Sequence, residues 1–149
     1  MSADSAKLQA TKISKLTEQF SVSGEFTESE LSSLVKQGVD TLINVRPDNE
    51  CEHQMSDQYW RTLAQKYHLQ YFFIPVKSGY YKTQDINEFK AALLKSSKRT
   101  HSFCRTGTRA SHLWALANKD NFSFTELQAV LNVHGFDLTM ISIMFDNEH

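Results

Sequence analysis

The sequence predicts an α/β fold in which a central, mainly parallel sheet is flanked by helices. Two apolar segments rich in β-branched residues, VDTLINV at 39–45 and LQYFFIPV at 69–76, have the composition of buried strands. Helical patterns separate and follow them, and strands that alternate with helices are typical of a parallel sheet with helices on its faces. Ligands of such sheets bind beyond the carboxyl ends of the strands, so a site is expected at that edge.

The composition is that of an ordinary globular domain. The chain has 149 residues, of which 40% are hydrophobic and 22% are charged. We expect a polar leader at 1–19 and a single domain at 20–149. A net charge of −1 argues against a general nucleic-acid-binding surface, and no apolar stretch approaches the roughly 18 residues that a membrane span needs.

The N-terminal segment lacks the apolar core of a secretory signal, and two cysteines are too few for a disulfide framework. Both observations favour a cytoplasmic protein with reduced thiols. The pair of Cys51 and His53 is too sparse for a metal site. We therefore predict no metal and no cofactor, and the composition leaves the oligomeric state open.

The first elements are predicted from short local patterns. FSVSG at 20–24 is consistent with a short edge strand. The helix that follows begins at Thr27, because Glu30 three residues later completes a capping box. It ends at Gly38, a residue type that commonly follows the last turn of a helix, and the buried strand 39–45 comes next.

The middle of the chain continues the alternation. A helix at 56–67 precedes strand 69–76, and Asp85 with Glu88 opens a helix that runs to residue 97. THSF at 100–103 is a short and rather polar strand candidate.

The last part of the chain is predicted to be helical. One helix spans 109–118, and Ser123 with Glu126 forms a second capping box before a helix that ends near Gly135. The segment DLTMISIMF at 137–145 is typical of a last, mostly buried helix.

The loop CRTGTR after the third strand has the composition of an anion-binding site. Arg109 offers a planar guanidinium that can hold two oxygens of a phosphate. Cys104 lies at the mouth of the loop, where a helix N-terminus and guanidinium groups favour a thiolate nucleophile. Three small residues can turn their backbone N–H groups inward to form a cradle: Thr106, Gly107 and Thr108.

Three quoted segments carry a resemblance to a known family: CRTGTRASHLWAL, the stretch FSVSGEFTESELSSLVKQGVDTLINVRPDNE, and YFFIPV. In this order they resemble the bacterial phosphatase-like domain of beta-lactamase hydrolase-like proteins, which is similar to dual-specificity and tyrosine phosphatases. The resemblance covers residues 20–118. It implies a cysteine-phosphatase-like fold, a Cys104 nucleophile, a phosphate-binding Arg109 and backbone donors from Arg105 to Thr108.

The implied reaction is hydrolysis of an aryl or phosphotyrosine-type phosphate through a thiophosphate intermediate on Cys104. The substrate would be a phosphorylated small molecule or a phosphoprotein. Three departures from the phosphatase pattern leave alternatives open: four residues instead of five separate Cys104 from Arg109, Phe103 stands where phosphatases place a histidine, and Ala110 replaces a serine or threonine. The alternatives are a rhodanese-like sulfurtransferase with a Cys104 persulfide, or an inactive phosphate-binding module.

A thiolate phosphatase also needs a carboxylic acid that protonates the leaving oxygen. Asp85 is the only carboxylate of the loop KSGYYKTQD, where the related phosphatases carry this acid, although its position also suits a helix N-cap. The alternatives come from the loop after strand 39–45: Asp48, Glu50 and Glu52.

The residues around the loop have two interpretations each. Arg46 is either a second anion contact or the partner of Asp48 or Glu50 in an ion pair. Tyr80 and Tyr81 either rim a pocket or lie in solvent. His101 either tunes a nearby thiolate or is a hydrogen-bonded core residue.

Overall fold

The computed structural model describes residues 11–77 and 79–146. The strands are β1 (Ser14–Thr17), β2 (Phe20–Ser23), β3 (Val39–Asn44), β4 (Gln70–Phe73) and β5 (Arg99–Phe103). The helices are α1 (Glu28–Lys36), α2 (Asp57–Lys66), α3 (Thr83–Lys95), α4 (Thr108–Ala117), α5 (Phe124–Asn132) and α6 (Ile143–Asp146), with a 3-10 turn at Thr139–Ile141.

The five strands form one sheet in the order β1-β2-β5-β3-β4. Strand β1 runs antiparallel to β2, and every other pair is parallel. The predicted α/β class with a mainly parallel sheet is therefore confirmed. Because β5 lies between β2 and β3, the loop that follows it opens at the middle of the carboxyl edge.

Helices cover both faces of the sheet. On one face α3, α4 and α5 pack over an apolar cluster that includes Phe89, Leu113 and Leu131. On the other face α1 and α2 pack over a smaller cluster built around Trp60 and Phe103. Within the described residues no helix combines the length and apolarity required to cross a membrane.

The predicted helix starts are confirmed where a side chain caps the helix. The hydroxyl of Thr27 accepts the N–H of Glu30, whose carboxylate accepts the N–H of Thr27 in return. Ser123 forms the same box at α5. At α3 the prediction was wrong, because Lys82 is the N-cap and Asp85 lies inside the first turn.

The boundary between leader and domain was placed too late in the chain. Strand β1 falls at Ser14–Thr17 and pairs with β2, while residues 1–10 lie outside the described part. Only Ser14 and Leu16 of the strand face inward, at 2% and 8% exposure. A four-residue alternation is too short to be read as a strand from sequence alone.

Two further predictions need correction. Segment 20–24 forms β2, which lies between β1 and β5 instead of at an edge. The C-terminal segment is a 3-10 turn followed by the short α6, and its Met140 and Ile143 are exposed at 72% and 68%. Its apolar composition therefore does not produce the single buried helix that was predicted.

Candidate active site

The thiol of Cys104 lies at the centre of the carboxyl edge of the sheet. Cys104 follows β5 directly, its N–H donates to the Ser23 carbonyl at 3.2 Å, and its side chain is 1% exposed. On the other side the Phe103 carbonyl accepts the N–H of Val45 at 3.0 Å. Both neighbouring strands thus fix the backbone from which the thiol projects.

A left-handed glycine turns the loop back over this thiol. Gly107 has φ +96°, a conformation that side chains rarely adopt, and it is the N-cap of α4. Its N–H points at Cys104 and lies 3.1 Å from Sγ. The loop therefore supplies one backbone donor to the sulfur itself, as the sequence predicted for a small-residue cradle.

A close backbone contact holds the outer part of the loop. Gly24, directly after β2, packs so tightly that a Cβ on it would lie 2.5 Å from the carbonyl oxygen of Arg105. Only glycine fits this approach. The side chains of Arg105 and Thr106 are exposed, and the Thr106 hydroxyl contacts Thr108, whose N–H donates to it at 3.4 Å.

The arginine of the loop is held in a fixed orientation. Both terminal nitrogens of Arg109 donate to Glu50, at 2.7 Å to Oε2 and 3.0 Å to Oε1, and Nη1 also donates to the Val76 carbonyl at 2.8 Å. Among the described residues, Nε has no acceptor. Arg109 is 5% exposed, and its Nε keeps a donor for an anion.

Glu50 also joins this arginine to a second one. Its Oε1 accepts Arg46 Nε at 3.0 Å, while Arg46 donates its other nitrogens to Glu25 and to the sulfur of Cys51. All three guanidinium nitrogens of Arg46 are thus occupied. Of the two interpretations of Arg46, its contacts match the ion pair with Glu50 and not a free anion contact.

The carboxylate of Glu50 and the guanidinium groups of Arg109 and Arg46 stabilise one another's charged forms. Hydrogen bonds from Arg109, with a smaller contribution from Arg46, outweigh burial and hold the pKa of Glu50 below its usual value. Burial opposes the charge of Arg109, but the bonds to Glu50 and then the charge of Cys104 raise its pKa overall. Glu50 is therefore ionised and holds both guanidinium groups in place, so it does not suit the role of the acid that protonates the leaving oxygen.

The other candidate acids differ in their hydrogen bonds and in their exposure. Asp48 accepts the N–H of Asp57 at 2.8 Å and serves the start of α2, and Glu52 is exposed. Asp85 lines a cleft of about 330 Å³ together with Pro47 and Pro75. Of the predicted carboxylates, Asp85 is the one that combines a cleft position with freedom from a structural hydrogen bond among the described residues.

A buried tyrosine and histidine lie behind the loop. The Tyr81 hydroxyl is 2.8 Å from His112 Nδ1, and His112 Nε2 is 2.8 Å from the Asp137 carbonyl. A carbonyl only accepts, so Nε2 carries the proton and Tyr81 donates to Nδ1. Burial, and then the charge of Cys104, raise the pKa of Tyr81, whereas Arg109 opposes the rise. Tyr81 is therefore structural, whereas Tyr80 is 64% exposed.

Sequence reasoning identified the loop but missed part of its support. Cys104, Gly107 and Arg109 are brought together as predicted. Glu25 was not anticipated, because no sequence pattern shows that a residue after β2 pairs with one after β3. The site combines a buried thiol, backbone donors and a fixed guanidinium, an arrangement that can bind a tetrahedral oxyanion and present it to sulfur.

Comparison with known proteins identifies relatives of this chain. The family model described as "Beta-lactamase hydrolase-like protein, phosphatase-like domain" matches residues 12–120. A beta-lactamase hydrolase-like protein of Xylella fastidiosa is 30% identical over 129 residues, which cover 85% of this chain and 30% of that protein. One from Agrobacterium fabrum is 28% identical with the same coverage. The chain thus spans about 30% of the length of these relatives, and the predicted family is confirmed.

Solved structures show the same fold. A predicted phosphatase of Neisseria meningitidis superposes with a TM-score of 0.79 at 24% identity, covering 92% of this chain and 98% of that one. PTPMT1 superposes with a TM-score of 0.74 at 11% identity, covering 91% and 92%. At these identities the likeness establishes the fold, so the expectation of a cysteine-phosphatase-like fold is confirmed.

Proposed function

This chain belongs to the phosphatase-like domain family of beta-lactamase hydrolase-like proteins, and we propose that it hydrolyses aryl or phosphotyrosine-type phosphate monoesters through Cys104. The observation that carries the proposal is the orientation of Arg109, whose two terminal nitrogens are held by Glu50 and Val76 while its Nε has no acceptor among the described residues. This geometry suits a phosphoryl group held between the guanidinium and the backbone N–H groups.

The reaction takes two steps. The Cys104 thiolate attacks phosphorus, a sulfur–phosphorus bond forms, and the ester bond breaks as Asp85 gives its proton to the leaving oxygen. A water then attacks phosphorus and gives a proton back to Asp85. The sulfur–phosphorus bond breaks, inorganic phosphate leaves, and the thiolate is regenerated near the N–H of Gly107.

A second candidate function is sulfur transfer. The loop has four residues between Cys104 and Arg109, the length that rhodanese-like loops use to hold a persulfide. In that case the Cys104 thiolate attacks the outer sulfur of a donor such as thiosulfate, the sulfur–sulfur bond of the donor breaks, sulfite leaves, and the same N–H groups hold the persulfide. The third possibility is a binding module that retains a phosphate and does not cleave it.

One set of assays separates these functions. We expect the wild-type protein to turn over an aryl phosphate and the Cys104→Ser variant to lose that turnover. Transfer of sulfur from thiosulfate to cyanide without phosphatase activity would assign the protein to the sulfurtransferases. Absence of both activities, with phosphate binding retained in Cys104→Ser, would leave the binding module.

The role of Asp85 is tested separately. Asp85→Asn should reduce turnover of phenyl phosphate, whose leaving group needs a proton, far more than that of 4-nitrophenyl phosphate, whose leaving group departs readily without one. General-acid catalysis typically contributes about 10²–10⁴-fold. Equal losses for both substrates would exclude Asp85 as the acid.

A further inference from the structure

A cleft of about 330 Å³ opens beside the thiol loop. Its wall consists of six residues from two loops and the first turn of α3: Pro47, Pro75, Lys77, Tyr80, Lys82 and Asp85. This volume is at the small end of the range for ligand pockets, so it suits a compact group better than an extended chain.

The cleft adjoins the guanidinium that would hold the phosphate. Pro75 and Lys77 flank Val76, whose carbonyl accepts Arg109 Nη1 at 2.8 Å. Pro47 directly follows Arg46, which shares Glu50 with Arg109. A phosphate ester bound at Arg109 therefore has this cleft next to it, at the carboxyl edge of β3 and β4.

Three of the six residues that line the cleft present rings: Pro47, Pro75 and Tyr80. The rings of Pro47 and Pro75 have no N–H to satisfy and fix their own backbone, and Tyr80 contributes an exposed aromatic ring, 64% accessible. Flat apolar surfaces of this kind favour a planar carbon ring over a polar or flexible leaving group.

The side chains that line the cleft carry more positive than negative charges. At the cradle, two carboxylates match the guanidinium groups of Arg46 and Arg109. Lys77 and Lys82, in contrast, form no ion pair with any carboxylate of residues 11–77 and 79–146. Two ammonium groups and the single carboxylate of Asp85 thus line the same cleft.

We propose that this cleft is the leaving-group pocket and that it selects phosphate esters whose aromatic ring carries a second anionic group. The phosphate binds at Arg109, the ring lies between Pro47, Pro75 and Tyr80, and the second anion lies near Lys77 and Lys82. This inference rests on the proposed function for its orientation, since it takes the reacting phosphate to be held by the thiol loop.

The test compares two substrates that differ in one charge. For the wild-type protein we expect kcat/KM for 4-carboxyphenyl phosphate to exceed that for phenyl phosphate by roughly three- to tenfold, the range for two exposed ion pairs. The methyl ester of the first substrate keeps its size without its charge, so its kcat/KM should not depend on Lys77 and Lys82. The preference should also shrink at high ionic strength, because salt screens exposed charges.

The variants assign the preference to the cleft. In the double variant Lys77→Gln with Lys82→Gln, the ratio between the two substrates should fall to about one. Lys36→Gln, which removes an exposed charge from the last turn of α1, should keep the wild-type ratio. An unchanged ratio in the double variant, or an equal loss of turnover for the methyl ester in that variant, would overturn the inference.

A binding measurement separates this inference from the proposed function. Phenylphosphonate and 4-carboxyphenylphosphonate cannot be hydrolysed as esters, and calorimetry with Cys104→Ser measures their affinities without turnover. Tighter binding of the carboxylated compound, lost in the lysine variant, would support the pocket even if the wild-type protein hydrolyses nothing. Equal binding of both compounds would refute the pocket and leave phosphatase activity untouched.

Discussion

Replacing Glu50 by glutamine tests whether this carboxylate orients Arg109 or competes with the substrate for it. Glu50 accepts three hydrogen bonds, two from Arg109 at 2.7 and 3.0 Å and one from Arg46 at 3.0 Å. Glutamine keeps the shape of the side chain but loses the charge and one acceptor oxygen. The perturbation is therefore confined to the contact that fixes the two guanidinium groups.

The structure gives the size of the effect on stability. Removing one partner of a fully buried ion pair costs about 3–5 kcal/mol, and the side chain of Glu50 is 23% exposed, so solvent screens part of that loss. We expect the free energy of unfolding to fall by about 2–3 kcal/mol, as measured by urea denaturation at pH 7.

The effect on anion binding decides between the two roles. Because Glu50 uses Nη1 and Nη2 and leaves Nε open, its loss should free Arg109 to move and weaken phosphate binding by about tenfold, close to one charged hydrogen bond. Calorimetric titration with inorganic phosphate measures this affinity. The matched control is Glu25→Gln, which loses a contact to Arg46 only and should lower stability while phosphate affinity stays as in the wild type. Unchanged or tighter phosphate binding in Glu50→Gln would show that the carboxylate blocks the arginine instead of orienting it.

Three further predictions concern the loop and the core. Arg109→Ala should weaken phosphate binding by about 1.5–3 kcal/mol, the usual contribution of a charged hydrogen bond, and calorimetry showing unchanged affinity would refute its role. Gly107→Ala should destabilise the fold by about 1–2 kcal/mol through its left-handed backbone and reduce turnover, because a Cβ would also lie 3.1 Å from the Phe136 ring. Burial lowers the pKa of His101 to about 3 in the folded protein. Below pH 6.5 the unfolded chain therefore binds a proton at this residue that the folded protein does not bind. The free energy of unfolding should for this reason fall by about 2 kcal/mol between pH 7 and 5. Urea unfolding checks the last expectation, together with an NMR titration, and an imidazole that titrates near pH 6.5 in the folded protein would contradict it.

The parts of the fold that follow from sequence are those with strong local signals. Strand β3 consists mainly of apolar and β-branched residues, and the capping boxes at Thr27 and Ser123 fix their helices through contacts three residues apart. Strand β1 and the C-terminal turn were misjudged because neighbours far along the chain decide their state. Ser14 faces the core only because β1 pairs with β2.

The same distinction applies to the site. Cys104, Gly107 and Arg109 lie within six residues, so their proximity can be read from the loop and its position at a strand end. Glu50 lies 59 residues from Arg109, and the sequence offered it as one of several carboxylates with another role. Only the parallel order of β5 and β3 brings the two loops to one edge of the sheet, and this order is not encoded in any local pattern.

The histidine missing before Cys104 is explained by the core beneath the loop. Phe103 packs against Trp60 and Phe26 with ring centroids 4.6 and 5.2 Å apart, so this position belongs to the hydrophobic cluster under α1 and α2. The imidazole is found two residues earlier, at His101, which matches its interpretation as a hydrogen-bonded core residue, since its ring nitrogens contact two serines of β2.

The hydrogen bonds of His101 lead to the loop without touching the sulfur. The Ser23 hydroxyl donates to the Gly24 carbonyl at 2.7 Å, so it must accept from Nε2 of His101 at 2.8 Å, and this fixes the tautomer. Gly24 is the residue that contacts the backbone of Arg105. A neutral buried histidine thus supports the strand end on which the loop rests. The sulfur itself takes its hydrogen bond from the Gly107 backbone, so the histidine supports the loop through the end of β2 and not through a contact with Cys104.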